Sequence, residues 1–184
     1  IDAVVGRALT ATEIDECYDP ELNKNLHHRN LTVGEIGCYL SHRKVFAMMV
    51  EQNIQKALIL EDDIVVNSNL LDCIELAEQS SGWDVIKIAD DENVNEAARK
   101  PLTEQIDLIS YNKVPNRTMG YFISLDAAKN MLTRNKIYRP VDVDFQFYRD
   151  FDITICGFTP NAIEVCPELG VDEKSDIAKQ NKGA

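Results

Sequence analysis

Three consecutive carboxylates, Glu61-Asp62-Asp63, follow directly on the apolar run Ala57-Leu58-Ile59-Leu60. A short continuous apolar run of this kind reads as a buried, parallel-type β-strand. In open α/β sheets ligands bind outside the carboxyl ends of the strands. Three acids placed there repel one another unless something neutralises them. A hard divalent cation, Mn2+ or Mg2+, does this well, because carboxylate oxygens suit it and a ligand's phosphate oxygens complete its shell. In an extended segment Glu61 and Asp63 point to one side and Asp62 to the other, which favours the ExD pair as ligands. The competing reading is a solvated acidic turn, the usual fate of a charge run. A position directly after a buried strand, rather than in mid-helix, weighs against it.

The elements that must carry these acids alternate between helical and strand patterns, which points to an α/β sheet with crossover helices. Thr10 with Glu13 has capping-box spacing ahead of a short helix ending before Pro20. Thr32 with Glu35 opens a longer helix to about residue 52, with Ile36, Leu40, Phe46, Met49 and Val50 on its apolar stripe. Asn67 or Ser68 caps a helix after the acids. WDVIKI from Trp83 is a strand, and Ala89 to Gln105 reads as a long charged loop. Tyr121 to Ser124 is a strand followed by a helix to about Arg134. Val141 to Tyr148 is ambiguous, and Ile153 to Cys156 and Ala162 to Val165 read as two late strands.

The chain of 184 residues is 45% hydrophobic and 27% charged, enough for one core and one domain over residues 1–184, with 172–184 a polar, fraying tail. No apolar run is long enough to span a bilayer. Nineteen basic against 31 acidic side chains leave a net charge of −12, which repels nucleic acid and anionic lipid. Five cysteines without CxxC spacing argue against a zinc site or a disulfide framework and fit a reducing compartment.

ALILEDDIVV resembles the first strand of a bacterial response-regulator receiver. That reading fails on order: about sixty residues precede the acids, Asp107 starts its apolar run instead of closing it, and no lysine closes Tyr121 to Ser124. A second resemblance covers nearly the whole chain. LTVGEIGCYLSHRKVF (Leu31 to Phe46), ALILEDD, WDVIKI, GYFIS (Gly120 to Ser124), RPVDVDF (Arg139 to Phe145) and SDI (Ser175 to Ile177), with IDAVVGRAL at the start, closely resemble glycosyltransferase family 25. The resemblance implies an α/β, GT-A-like (Rossmann-like) single domain with a mixed, mostly parallel central sheet. It also implies a UDP-sugar donor, usually UDP-galactose, and an inverting transfer to a hydroxyl of an oligosaccharide or glycolipid acceptor.

Carried over by residue, the resemblance puts Glu61, Asp62 and Asp63 at a DxD-like metal position, with Asp176 of SDI closing over it. Ser41, His42 and Arg43 fall in the family's SHR segment, where His42 and Arg43 would meet the donor's phosphates. The alternative for His42 is a structural histidine packing against the sheet. Gly120 and Tyr121 match the family's GY at the cleft, although for Tyr121 a core position is the stronger reading. Asp142 is the implied general base and Asp144, two residues on, the second candidate. A solvated turn after Pro140 is the alternative for both.

Family members have a further strand with a short basic turn upstream of the IDAVVGRAL segment, which assists nucleotide binding; here the sequence starts at Ile1, so that strand is expected to be lacking. Two functional classes follow. One is a metal-dependent galactosyltransferase of lipooligosaccharide or lipopolysaccharide assembly, cytoplasmic and peripheral at the inner membrane. The other is a catalytically inactive transferase-like module that binds glycan or protein.

Overall fold

In a computed structural model the described residues are 1–90 and 94–166. Asp176 and the 172–184 tail lie outside them. The two capping boxes form as the sequence predicts. Thr10 opens α1 (Ala11–Cys17), and Thr32 opens α3 (Val33–Glu51), where the Glu35 N–H donates to Thr32 Oγ1 at 3.1 Å and the Glu35 carboxylate accepts the Thr32 N–H at 2.8 Å. Between them lies α2 (Pro20–Leu26), which the reading of Pro20 as a stop passes over. Asp19 caps it and Pro20 takes the first turn, where a missing N–H costs nothing.

The central sheet contains β1 (Lys56–Leu60), β3 (Val85–Lys87), β4 (Asn95–Pro101), β5 (Asp107–Lys113), β6 (Gly120–Ser124) and β7 (Ile155–Thr159). Their order is β1-β6-β3-β7-β5-β4, and β2 (Ile64–Val66) pairs separately with β8 (Ile163–Val165). The sheet is mixed, as expected, but its balance differs from the mostly parallel arrangement: β3 with β7 is parallel and the other pairings are antiparallel. The apolar run in β1 reports burial by neighbours and not strand direction, since an antiparallel strand covered on both faces is equally apolar. A second correction concerns the Ala89 to Gln105 loop. Residues 95–101 form β4, an exposed edge strand hydrogen-bonded to β5, whose charged outer face hides the strand alternation.

Helices cover both faces. Phe46 and Met49 of α3 and Ala127, Ala128 and Met131 of α5 (Leu125–Leu132) pack on Ile59, Val85, Ile109, Tyr121 and Ile123. Leu70, Cys73 and Ala77 of α4 (Leu70–Gln79) pack on Ile86, Ile88, Phe122 and Phe158. The period of two in β3 and β6 sends alternate residues into the two cores. A third cluster joins α3 to α6 (Val141–Gln146) through Leu31, Ile36, Tyr39, Ile137 and Val141. Val141 to Tyr148, ambiguous in sequence, is therefore helical at its start. Residues 4–6 approach α3 closely: a Cβ on Gly37 would lie 2.7 Å from Gly6 N and one on Gly6 1.9 Å from Val33 O. Glycine at both positions is what lets the two backbones touch.

Candidate active site

β1 ends where the sequence predicts, and Glu61-Asp62-Asp63 leave it as an irregular turn into β2. The three acids do not share one environment. Glu61 turns inward: its N–H donates to the Met119 carbonyl at 2.9 Å, and its Oε1 accepts the Thr118 hydroxyl at 2.8 Å. His42 Nε2 stands 3.9 Å from the same oxygen. Burial would raise this carboxyl, but His42, Thr118 and the charge of Arg117 outweigh it and hold Glu61 below the usual glutamate value. Asp62 is exposed and Asp63 half-buried, its carbonyl accepting the Cys166 N–H at 2.8 Å. The Asp63 carboxyl is pushed up, first by burial and then by the charges of Glu61 and Asp62. The neighbouring carboxylates thus add to the effect of burial on Asp63.

His42 is buried at 5% exposure between Phe46 and Tyr121. Its Nδ1 is 2.6 Å from the Tyr121 hydroxyl, and Tyr121, wholly buried, packs edge-on against Phe145. His42 and Tyr121 thus form an internal strut from α3 through β6 toward Glu61. Cys38, His42 and Glu61 each bring one ligand atom within 4.8 Å of the others, the grouping among the described residues that could hold a softer metal. The Cys38 thiol is pushed up to about 12 by burial and by the charges of Glu61, Asp142 and Glu35.

The remaining residues of the SHR and GY motifs each have partners within the fold. Ser41 Oγ accepts the Val4 N–H and donates to the Gly37 carbonyl, both at 2.8 Å. Arg43 donates to the Arg134 carbonyl at 2.5 Å. Gly120 faces Leu60 across the β1–β6 ladder, and a Cβ there would lie 2.3 Å from Ile163 Cδ1.

Asp142 and Asp144, paired in sequence, part company in the fold. Asp142, half-exposed in the first turn of α6, accepts the Val143 N–H at 2.8 Å on Oδ1 and the Arg117 N–H at 3.1 Å on Oδ2. Asp144 has no solvent exposure; Tyr39 donates to its Oδ2 at 2.6 Å, and Arg139 to its Oδ1 at 2.8 Å, with Arg134 at 3.3 Å. Burial raises its carboxyl in spite of these partners. Thr118 and Arg117 carry no motif of their own, and Tyr39 lies unremarked within the Leu31 to Phe46 segment. Thr118 and Arg117 precede the GY motif by two and three positions, and that adjacency is the signal that could have found them.

The chain matches the family model described as "Glycosyltransferase family 25 (LPS biosynthesis protein)" over residues 1–147. A glycosyltransferase 25 family member of Drosophila melanogaster is 31% identical over 77% of this chain and 24% of its own length. Procollagen galactosyltransferase 1 of Danio rerio is 30% identical over 78% of this chain and 25% of its own, and procollagen galactosyltransferase 2 of Homo sapiens 27% over 78% and 24%. The chain spans about a quarter of the length of these relatives. With the family model covering most of its residues, the chain belongs to glycosyltransferase family 25.

Proposed function

We propose that this chain transfers a hexose, galactose, from a UDP-sugar to a hydroxyl of a lipooligosaccharide or lipopolysaccharide glycan, inverting the anomeric carbon. The observation that carries the reading is that one loop, residues 114–119, touches both acids the reaction needs. Thr118 holds Glu61, and Arg117 holds Asp142. The crowded carboxylates fit a divalent cation, Mn2+ or Mg2+, with Asp63 and Asp62 as its outward ligands and Glu61 behind them. When bound, that cation offsets the charge that develops on the departing diphosphate.

The chain's own residues do the rest. Asp142 accepts the proton of the acceptor hydroxyl as that oxygen attacks the face opposite UDP. The Arg117 and Val143 N–H groups fix the carboxylate without protonating it. His42 and Thr118 keep Glu61 ionised and oriented. Asp144 is buried and fully engaged, and its part is to lock α6 to α3 through Tyr39, not to meet substrate.

On this reading the chain works in the cytoplasm, peripheral to an inner membrane carrying lipid-linked acceptor. At net charge −12 the acceptor glycan or a partner protein, not anionic lipid, would hold it there. Among the described residues no helix is long and apolar enough to cross a membrane. A second acceptor, procollagen, is favoured by the names of the relatives. Incubation with UDP-galactose, Mn2+ and each acceptor class, with the product anomer read by NMR, tests the proposal. A β-galactoside from the α-linked donor is expected; a retained α-linkage, or no transfer from any UDP-sugar, contradicts it.

A further inference from the structure

Lys87 is among the most deeply buried polar residues of the fold, at 2% exposure. In β3 it shares a face with Val85, inside the core beneath α3 and α5, where a lysine is found only when its charge is matched. Its Nζ donates to the Pro115 carbonyl at 2.7 Å and to the Asn116 carbonyl at 3.0 Å, and it pairs with Asp90 Oδ1 at 3.2 Å. Asp90 is itself fixed. Its Oδ2 accepts the Tyr111 hydroxyl at 2.5 Å, and its backbone exchanges two hydrogen bonds with the Asn161 side chain. Gly157 leaves the room for this arrangement, since a Cβ there would lie 1.9 Å from Tyr111 Oη.

The carbonyl of Asn116 and the N–H of Arg117 are the two ends of one planar peptide unit. Lys87 binds the oxygen end and Asp142 accepts from the nitrogen end. Rotating that plane away from Lys87 would also turn the N–H away from Asp142. Arg117 has φ +70°, a left-handed backbone that non-glycine residues adopt only when their surroundings impose it. The two bonds from Lys87 to the preceding carbonyls are part of that imposition.

We propose that Lys87 is a positioning residue, which sets the orientation of the Asp142 carboxylate through the Asn116–Arg117 peptide unit. The inference rests on the role proposed for Asp142. Lys87 acts on Asp142 through the loop backbone, so its removal should act on turnover and spare donor binding. The Glu61 side of the loop is anchored separately, by Met119 and Thr118.

The test uses Lys87→Met and the milder Asp90→Asn in the full chain, with Asp142→Asn alongside. Both brace variants should lower kcat by roughly 10- to 100-fold, the scale of a small misplacement of a reacting group. The donor KM should stay within about threefold. Combined with Asp142→Asn, Lys87→Met should cost nothing further, since the two act in series. Amide exchange at Arg117 should quicken while that of β6 does not. Wild-type kcat and Arg117 exchange in a folded Lys87→Met protein would overturn the proposal, as would fully multiplicative losses in the double variant. If Lys87→Met does not fold, Asp90→Asn decides by the same readouts. If Asp142→Asn alone keeps full turnover, the base assignment fails instead, and Lys87 is then judged by whether Arg117 exchange changes.

Discussion

The Arg117 N–H donates to Asp142 Oδ2 at 3.1 Å, across 25 positions of sequence, and ties the loop before β6 to the first turn of α6. The residue after Arg117 holds Glu61, so the strand-end acid and the helix acid are set by neighbouring links of one loop. Asp142→Asn keeps the shape of the side chain and removes its basicity. Turnover is expected to fall about 10²–10⁴-fold, the usual contribution of a positioned acid or base. UDP-sugar affinity, measured by calorimetry, should hardly change. A parallel collapse of donor binding would move Asp142 into the metal shell.

Asp144→Asn should behave in the opposite way. Its carboxylate is wholly buried between Tyr39, Arg139 and Arg134, and replacing it leaves the two guanidinium groups with only the exposed Asp150 as counter-charge. Breaking a buried ion pair from one side costs about 3–5 kcal/mol. Tyr39→Phe, which removes one hydrogen bond to a charged group, should cost about 1.5–3 kcal/mol. Urea denaturation of both variants checks this. Full stability in Asp144→Asn would mean the cluster does not hold α6 in place.

The start of α3 supplies a pH-dependent term. The Glu35 carboxyl is subject to burial, which would raise it, but Arg29 and the Thr32 N–H outweigh that and hold it below the usual glutamate value. A folded-state value below the unfolded one means stability that is fully present above the unfolded value and lost as pH falls through the folded one. Thr32→Ala should cost about 1 kcal/mol at neutral pH. Glu35→Gln should flatten the acid limb of the stability curve below about pH 4.5. An unchanged acid limb in that variant would exclude Glu35 as a source of the dependence.

Local chemistry was legible in the sequence, and long-range pairing was not. The boxes at Thr10 and Thr32 work because cap and partner lie three residues apart, and the acids at 61–63 were found because a strand end is a local event. Asp142 and Asp144 look alike on paper. Only Tyr39, 105 positions away, and the two arginines show that one is a buried brace, while the other is half-exposed at the start of α6. Strand direction was hidden for the same reason, since β1 is apolar whichever way its neighbour β6 runs. Residues 95–101 read as loop because an exposed edge strand needs no apolar face. Asp176 lies outside the described residues.

The central claim is that the carboxylates after β1 bind a nucleotide diphosphate through a divalent cation. Calorimetric titration of UDP into the protein with and without Mn2+, repeated with Asp63→Asn, tests it most directly. Asp63 carries a carboxyl raised by burial and by its acidic neighbours, so removing its charge should also slightly stabilise the metal-free protein. The account predicts UDP binding that requires Mn2+ and disappears in Asp63→Asn while that variant melts no lower than the wild type. UDP binding that is indifferent to Mn2+, or that persists at full affinity in Asp63→Asn, would contradict it.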